Sequence, residues 1–95
     1  MILVTYDVNM EDTSGAKRLR HIAKACEDVG QRVQKSVFEC LVQPDQYVVL
    51  KNKLLSIIDK EKDSIRIYLL GANWERRIEH YGVAPSFKQD GAIIL

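Results

Sequence analysis

Strand-like and helix-like segments alternate along this chain in the order β-α-β-β-α-β, and in so short a chain that order leaves few folds open. Ile2 to Val8 reads as a strand, because β-branched and aromatic residues dominate it and no breaker interrupts it. Asn9 to Gly15 is a loop of turn formers, with Thr13 or Ser14 placed to cap a helix. Ala16 to Val29 shows helical period: Ala16, Leu19, Ile22, Ala23, Cys26 and Val29 share one stripe, and Gly30 stops it. Arg32 to Val42 is extended, as one bent strand or two short ones. Ser36, Phe38, Cys40 and Val42 lie on one face of it, and Val37, Glu39 and Leu41 on the other. Pro44 suits the first turn of a second helix, whose buried face is expected to hold Tyr47, Val48, Leu50, Leu54, Leu55, Ile57 and Ile58. Asp59 to Asp63 is a charged cluster expected to form a solvated turn, and Ser64 to Leu70 is a further strand.

Two helices and one antiparallel sheet fit most economically into a ferredoxin-like α+β sandwich. Both helices then cover one sheet face, and the other is left bare. Yet Leu3 stands beside Val4, Val37 and Leu41 beside Phe38, and Ile65 and Ile67 beside Tyr68 and Leu70. A sheet wetted on one side alternates more cleanly than this, so the bare face is expected to pair with a second copy as a homodimer. Glu75 to Gly82 reads as a short strand or a helical turn, Trp74 as a packing residue, and the apolar end Ile93-Ile94-Leu95 as a docking tail.

At 95 residues the chain is expected to be a single domain. No run of about 18 apolar residues suggests a membrane span, and the N-terminus reads as a strand instead of a signal peptide. Cys26 and Cys40 read as buried thiols of a reducing cytoplasm, with a disulfide left open. P-loop, G-x-G-x-x-G, H-E-x-x-H and nucleophile-elbow motifs are absent, and His21 and His80 are far apart in sequence.

The placement of charge says more than its total of +1. Asp7 ends the first strand and faces a loop, a position that serves a working carboxylate or a turn-capping acid. One carboxylate makes a poor magnesium site, but two copies of Asp7 meeting about a two-fold axis could share a cation. Such a cation polarises a phosphoryl oxygen and activates water. Glu11, Asp12 and Glu39 are additional acids nearby. On the first helix Lys17, Arg20, His21 and Lys24 recur at spacings of three and four, with Arg18 beside them. This is either an ordinary solvated face or a phosphate-tracking surface, which Arg32, Lys35, Arg76 and Arg77 extend.

These residues resemble the CRISPR-associated Cas2 family of spacer-acquisition proteins. The resemblance rests on Tyr6-Asp7-Val8, on Lys17-Arg18-Leu19-Arg20, on Gly30-x-x-Val33-Gln34-x-Ser36-Val37-Phe38-Glu39 and on Asp63-Ser64-Ile65-Arg66-Ile67-Tyr68. It covers nearly the whole chain, and the spacing and tail look most like type I-C members. It implies one domain over residues 1–95, in which a core (1–71) carries a C-terminal segment (72–95) that is exchanged or docked across a homodimer. It implies that Asp7, paired across that dimer, binds magnesium and supports phosphodiester cleavage by a metal-dependent endonuclease of double-stranded DNA or single-stranded RNA. It also implies an architectural role, bridging the integrase Cas1 and holding prespacer duplex, in which the acid is dispensable. Lys17, Arg18, Arg20, Lys24 and Arg32 are the expected nucleic-acid contacts, with Tyr6, Ser36, Phe38 and Glu39 as supporting residues.

Overall fold

The first strand sits at the centre of the sheet and organises the rest. The computed structural model describes residues 1–71 and 77–83. Its elements run β1 (Ile2–Asp7), α1 (Gly15–Glu27), β2 (Gly30–Gln34), β3 (Val37–Cys40), α2 (Pro44–Ile57), β4 (Ser64–Leu69) and β5 (Arg77–Gly82). The sheet order is β2-β3-β1-β4-β5, with every neighbouring pair antiparallel. With two helices packed against it, this is the expected ferredoxin-like α+β sandwich plus one edge strand. The extended block 32–42 resolves into two strands that meet in a hairpin, with an irregular register between Arg32 and Gln34.

The pleat sorts the strand residues as the 2-residue period requires. Ile2, Val4 and Tyr6 of β1, Phe38 and Cys40 of β3 and Ile65, Ile67 and Leu69 of β4 enter one core with Ile22 and Cys26 of α1 and Tyr47, Leu50 and Leu54 of α2. Cys26 and Cys40 are buried free thiols there. The helical stripes shift slightly from expectation. Ala16 is exposed and Ala25 buried, and Val48 faces outward because α2 turns Tyr47 and Leu50 to the sheet. Pro44 opens α2 as expected, behind a capping box between Gln43 and Gln46. Ser14 takes the N-cap position of α1, but its side chain does not cap.

On the opposite face Leu3 lies between Glu39 and Tyr68, and Tyr68 pairs with Ile78. Ile78 is 44% exposed and Leu41, just past β3, is 79% exposed. Asp7 shares this open face with Leu3 and Thr5, at the end of the row.

Within the chain the added strand extends the sheet: Arg77–Gly82 pairs along the full length of β4. The β4 edge offers unpaired backbone groups there, and Gly71, at a φ of +117°, lets the chain leave β4 in a conformation that side chains resist. Trp74, Arg76 and the apolar tail 93–95 lie outside the described residues. So does most of the 72–95 segment, on which any exchange would depend. Gly82 ends β5 with a φ of +96°, and a Cβ there would overlap the Asp63 carbonyl. Gly82→Ala is therefore expected to destabilise the chain by roughly 1–2 kcal/mol from backbone conformation alone, and by more from the overlap. Urea denaturation measures it; an unchanged midpoint would show that β5 is not held as described.

Candidate functional site

Asp7 is exposed at the end of β1, directly across the ladder from Ser64. On its other side the Tyr6 N–H donates to the Ser36 carbonyl at 3.2 Å, which fastens the end of β1 to the β2–β3 turn. Between that turn and α1 opens a cleft of about 350 Å³. Leu19 and Ala23 form part of its apolar wall, and Asp7, Arg20, Arg32 and Lys35 bring charge to it. An acid and three cations that are scattered over some thirty residues of sequence thus line one depression.

Of the four residues expected to support the site, Tyr6 and Phe38 pack together. Phe38 is fully buried and stacks on Tyr6 with ring centroids 6.1 Å apart and planes 21° from parallel. The Arg32 guanidinium lies over the Phe38 ring, 5.1 Å from its centroid, and also pairs with Glu27 at 3.7 Å. Burial raises the Tyr6 hydroxyl pKa, an effect that the nearby Arg32 charge partly opposes. Ser36 lines the cleft at the turn. Glu39 is exposed on the open face opposite Leu3, away from Asp7 by two rows of the ladder.

The five expected nucleic-acid contacts divide. Lys17, Arg20 and Lys24 are exposed along α1, with Lys24 paired to Asp28 at 2.9 Å. Lys17, Arg20 and Lys35 form no ion pair among the described residues. Arg18 differs, because the fold engages its guanidinium internally. Its side chain is only 12% exposed, and its guanidinium bonds Asp63 through Nε at 2.7 Å and through Nη2 at 3.2 Å. Further bonds reach Asp12, the Ser14 hydroxyl at 2.7 Å and the Asn9 carbonyl at 3.3 Å. A cation this fully engaged has no free donor fork to present to a phosphate.

Asp63 is the residue that the charge pattern did not single out. It closes a run of charged residues that reads as solvated, yet it is completely buried. A hint lay in its position immediately before an apolar strand, but its partner Arg18 is 45 positions upstream. Asp12 continues the network outward to Lys62 at 2.8 Å. Hydrogen bonds from Lys62 and then from Arg18 hold the Asp12 carboxyl well below the usual carboxylate range. For Asp63 burial pushes upward, but Arg18 and the N–H groups of Asp59 and Asn9 outweigh it, so its pKa is lowered. Groups depressed by folding stabilise the native state above their unfolded pKa and lose that contribution as pH falls through the folded value. Thermal stability is therefore expected to hold from neutrality to about pH 5 and to fall steeply below about pH 4. A melting temperature that stays flat down to pH 2.5 or so would contradict the network.

Among the described residues no three His, Cys, Asp or Glu side chains converge as a metal-binding set. Asp12 is engaged by cations, and the Glu11 N–H is turned to the Asn9 side chain at 2.7 Å. Asp7 is the one carboxylate among the residues that line the cleft, and a single carboxylate makes a poor site for a divalent ion.

Residues 1–78 match the family model described as CRISPR associated protein Cas2. Over its whole length the chain is 56% identical to the CRISPR-associated endoribonuclease Cas2 of Nitratidesulfovibrio vulgaris Hildenborough, covering 93% of that protein. It is 51% identical over 95 residues to the CRISPR-associated endonuclease Cas2 of Halalkalibacterium halodurans, covering 99% of it. The crystal structure of Streptococcus pyogenes Cas2 at pH 6.5 superposes with a TM-score of 0.69 at 63% identity, over 77% of this chain and 88% of that one. A hypothetical protein from Thermus thermophilus gives a TM-score of 0.61 at 28% identity, over 80% and 95% of the two chains. Sequence match along the strand carrying Asp7, the basic helix and the sheet, joined to the same fold, shows that this chain belongs to the CRISPR associated protein Cas2 family.

Proposed function

We propose that the chain is a divalent-cation-dependent endonuclease of CRISPR adaptation that works as a homodimer. The observation that carries this is the convergence of exposed Asp7 with Arg20, Arg32 and Lys35 on one cleft. The names of the relatives, endoribonuclease and endonuclease, agree with it. The open sheet face, with Leu3, Val37 and Ile78, supplies apolar area for a second copy and carries Asp7 along with it. Asp7 from the two copies would hold magnesium, which when bound polarises a phosphoryl oxygen and lowers the pKa of a water. Arg20, Arg32 and Lys35 contribute what fixed cations contribute: they attract the backbone, orient a phosphate beside the acid and offset charge that develops on it. Arg32 is held by the Phe38 ring beneath it, so part of its side-chain entropy is already lost before substrate arrives.

The exposed row Lys17, Arg20 and Lys24 supports a second, compatible reading: an architectural dimer that holds prespacer duplex for the integrase Cas1. Phosphate contact without base readout suits duplex DNA.

The test is cleavage of single-stranded RNA and of duplex DNA by the purified protein, with magnesium and with chelator, beside a salt titration of binding. Magnesium-dependent cutting of either substrate is expected. If three cations from each of two chains contact duplex phosphates, log K should fall against log salt with a slope of roughly −5. Tight binding without any cutting would leave the architectural role alone, and salt-independent binding would remove both.

A further inference from the structure

We propose that Asp63 is a positioning residue for Asp7, acting through the loop that follows β1. This rests on the reading of Asp7 as the working acid and names what sets its position. Asp63 is the one fully buried charged residue among those described. Each of its oxygens accepts two hydrogen bonds. Oδ1 takes the Asn9 N–H at 3.0 Å and Arg18 Nη2 at 3.2 Å; Oδ2 takes Arg18 Nε at 2.7 Å and the Asp59 N–H at 2.9 Å. Its backbone is equally committed: its N–H donates to the Asp59 carbonyl at 2.7 Å, and its carbonyl accepts the Val83 N–H at 2.8 Å. One residue thus ties the exit of β1, the α2–β4 turn, the end of β5 and helix α1.

The consequence falls on Asp7. Asn9 is held at its N–H by Asp63 and at its carbonyl by Arg18, which Asp63 itself orients. Two residues earlier Asp7 is paired with Ser64, the neighbour of Asp63. The Asp7 backbone is therefore bracketed between the ladder and the clamp, although its carboxylate is exposed. A buried ion pair is a poor device for stability alone, because well-packed apolar residues of like volume often do as well or better. Its distinctive property is directional: four donors from three segments meet one carboxylate, so the loop has one geometry. Shared acids on a two-fold axis require such constancy, since an error in one copy is repeated in the other.

The test compares wild type with Asp63→Asn, which keeps the shape but turns an amide NH2 against donors. Arg18→Lys, which keeps the charge but loses the fork to Asp63 and Asn9, serves if the first variant folds poorly. Ile67→Val, in the core and remote from the loop, controls for lost stability. Amide hydrogen exchange should rise at least about tenfold at Asn9 in the clamp variants while the β1 ladder amide of Val4 changes little. Cleavage should lose about ten- to a hundredfold in kcat with KM within about twofold, and Ile67→Val should not reproduce this at matched melting temperature. Unchanged exchange at Asn9, or a kcat loss that Ile67→Val matches, overturns the proposal. If wild type does not cleave at all, the nuclease reading fails, and the exchange at Asn9 still decides whether Asp63 holds the segment that carries Asp7.

Discussion

Asp7→Asn is expected to reduce magnesium-dependent cleavage at least about a hundredfold while the protein folds and binds nucleic acid as before. The carboxylate is exposed, so an isosteric amide disturbs no packing, and the change in stability should stay within about 0.5 kcal/mol. An amide oxygen remains a possible ligand, but it lacks the charge with which a carboxylate draws a hard cation out of water. The sign of the binding effect is a further check. Without metal, Asp7 repels an incoming phosphate beside Arg20 and Lys35. Removing that charge should leave affinity in chelator equal or raise it by roughly two- to fivefold, the size of one screened charge contact. A variant that cuts as well as wild type would place the chemistry elsewhere. A variant that lost binding as well as cleavage would make Asp7 part of the fold and not of the site.

The second large effect is expected at Phe38. It is fully buried in the central part of the sheet, paired with Val4 on one side and Arg32 on the other. Phe38→Ala should cost about 3–5 kcal/mol, a large part of the 5–15 kcal/mol by which small domains are stable. The urea midpoint should fall sharply with little change in slope. Phe38→Leu separates the contributions of this side chain. It refills most of the volume and recovers most of the stability, but offers Arg32 no ring face. Nucleic-acid affinity should then fall by the cation–π share, about 0.5–1 kcal/mol, because Arg32 must be ordered on binding. A loss below about 1 kcal/mol for the alanine variant would mean that this ring is not part of the core.

Asp7 and its setting were legible because they depend on local pattern. An uninterrupted β-branched run that ends in an acid and then in turn formers puts a carboxylate at a strand end wherever the strand lies. Pro44, the basic row of α1 and the inward face of Phe38 and Cys40 were legible for the same reason: periods of 3.6 and 2 report which residues share a face. Arg18 and Arg20 show where this stops. They are two residues apart on one helix and both fit a basic helix, yet Arg20 lines the cleft and Arg18 is drawn inward by Asp63. Within a helical turn only the Ser14 hydroxyl marks Arg18 out; the acid that draws it inward, Asp63, is delivered with β4, through pairing with β1. Asp63 likewise ends a charged run that any local rule assigns to solvent, and is buried only because Asn9, Asp59 and Arg18 arrive to satisfy it. The edge strand is a similar case, since whether 77–82 pairs at home or abroad depends on which β4 edge it meets.

The sequence by itself thus determined the order of elements, the two faces of the sheet and the acid at the end of β1, which follow from spacing along the chain, and its motifs carried the resemblance to the family. Only the tertiary structure decided which cations stay available, which acid is buried to hold the loop, and that Asp7, Arg20, Arg32 and Lys35 share a cleft. Charges act through space over a few ångströms, and neighbours at that distance are chosen by strand pairing and not by position in the chain.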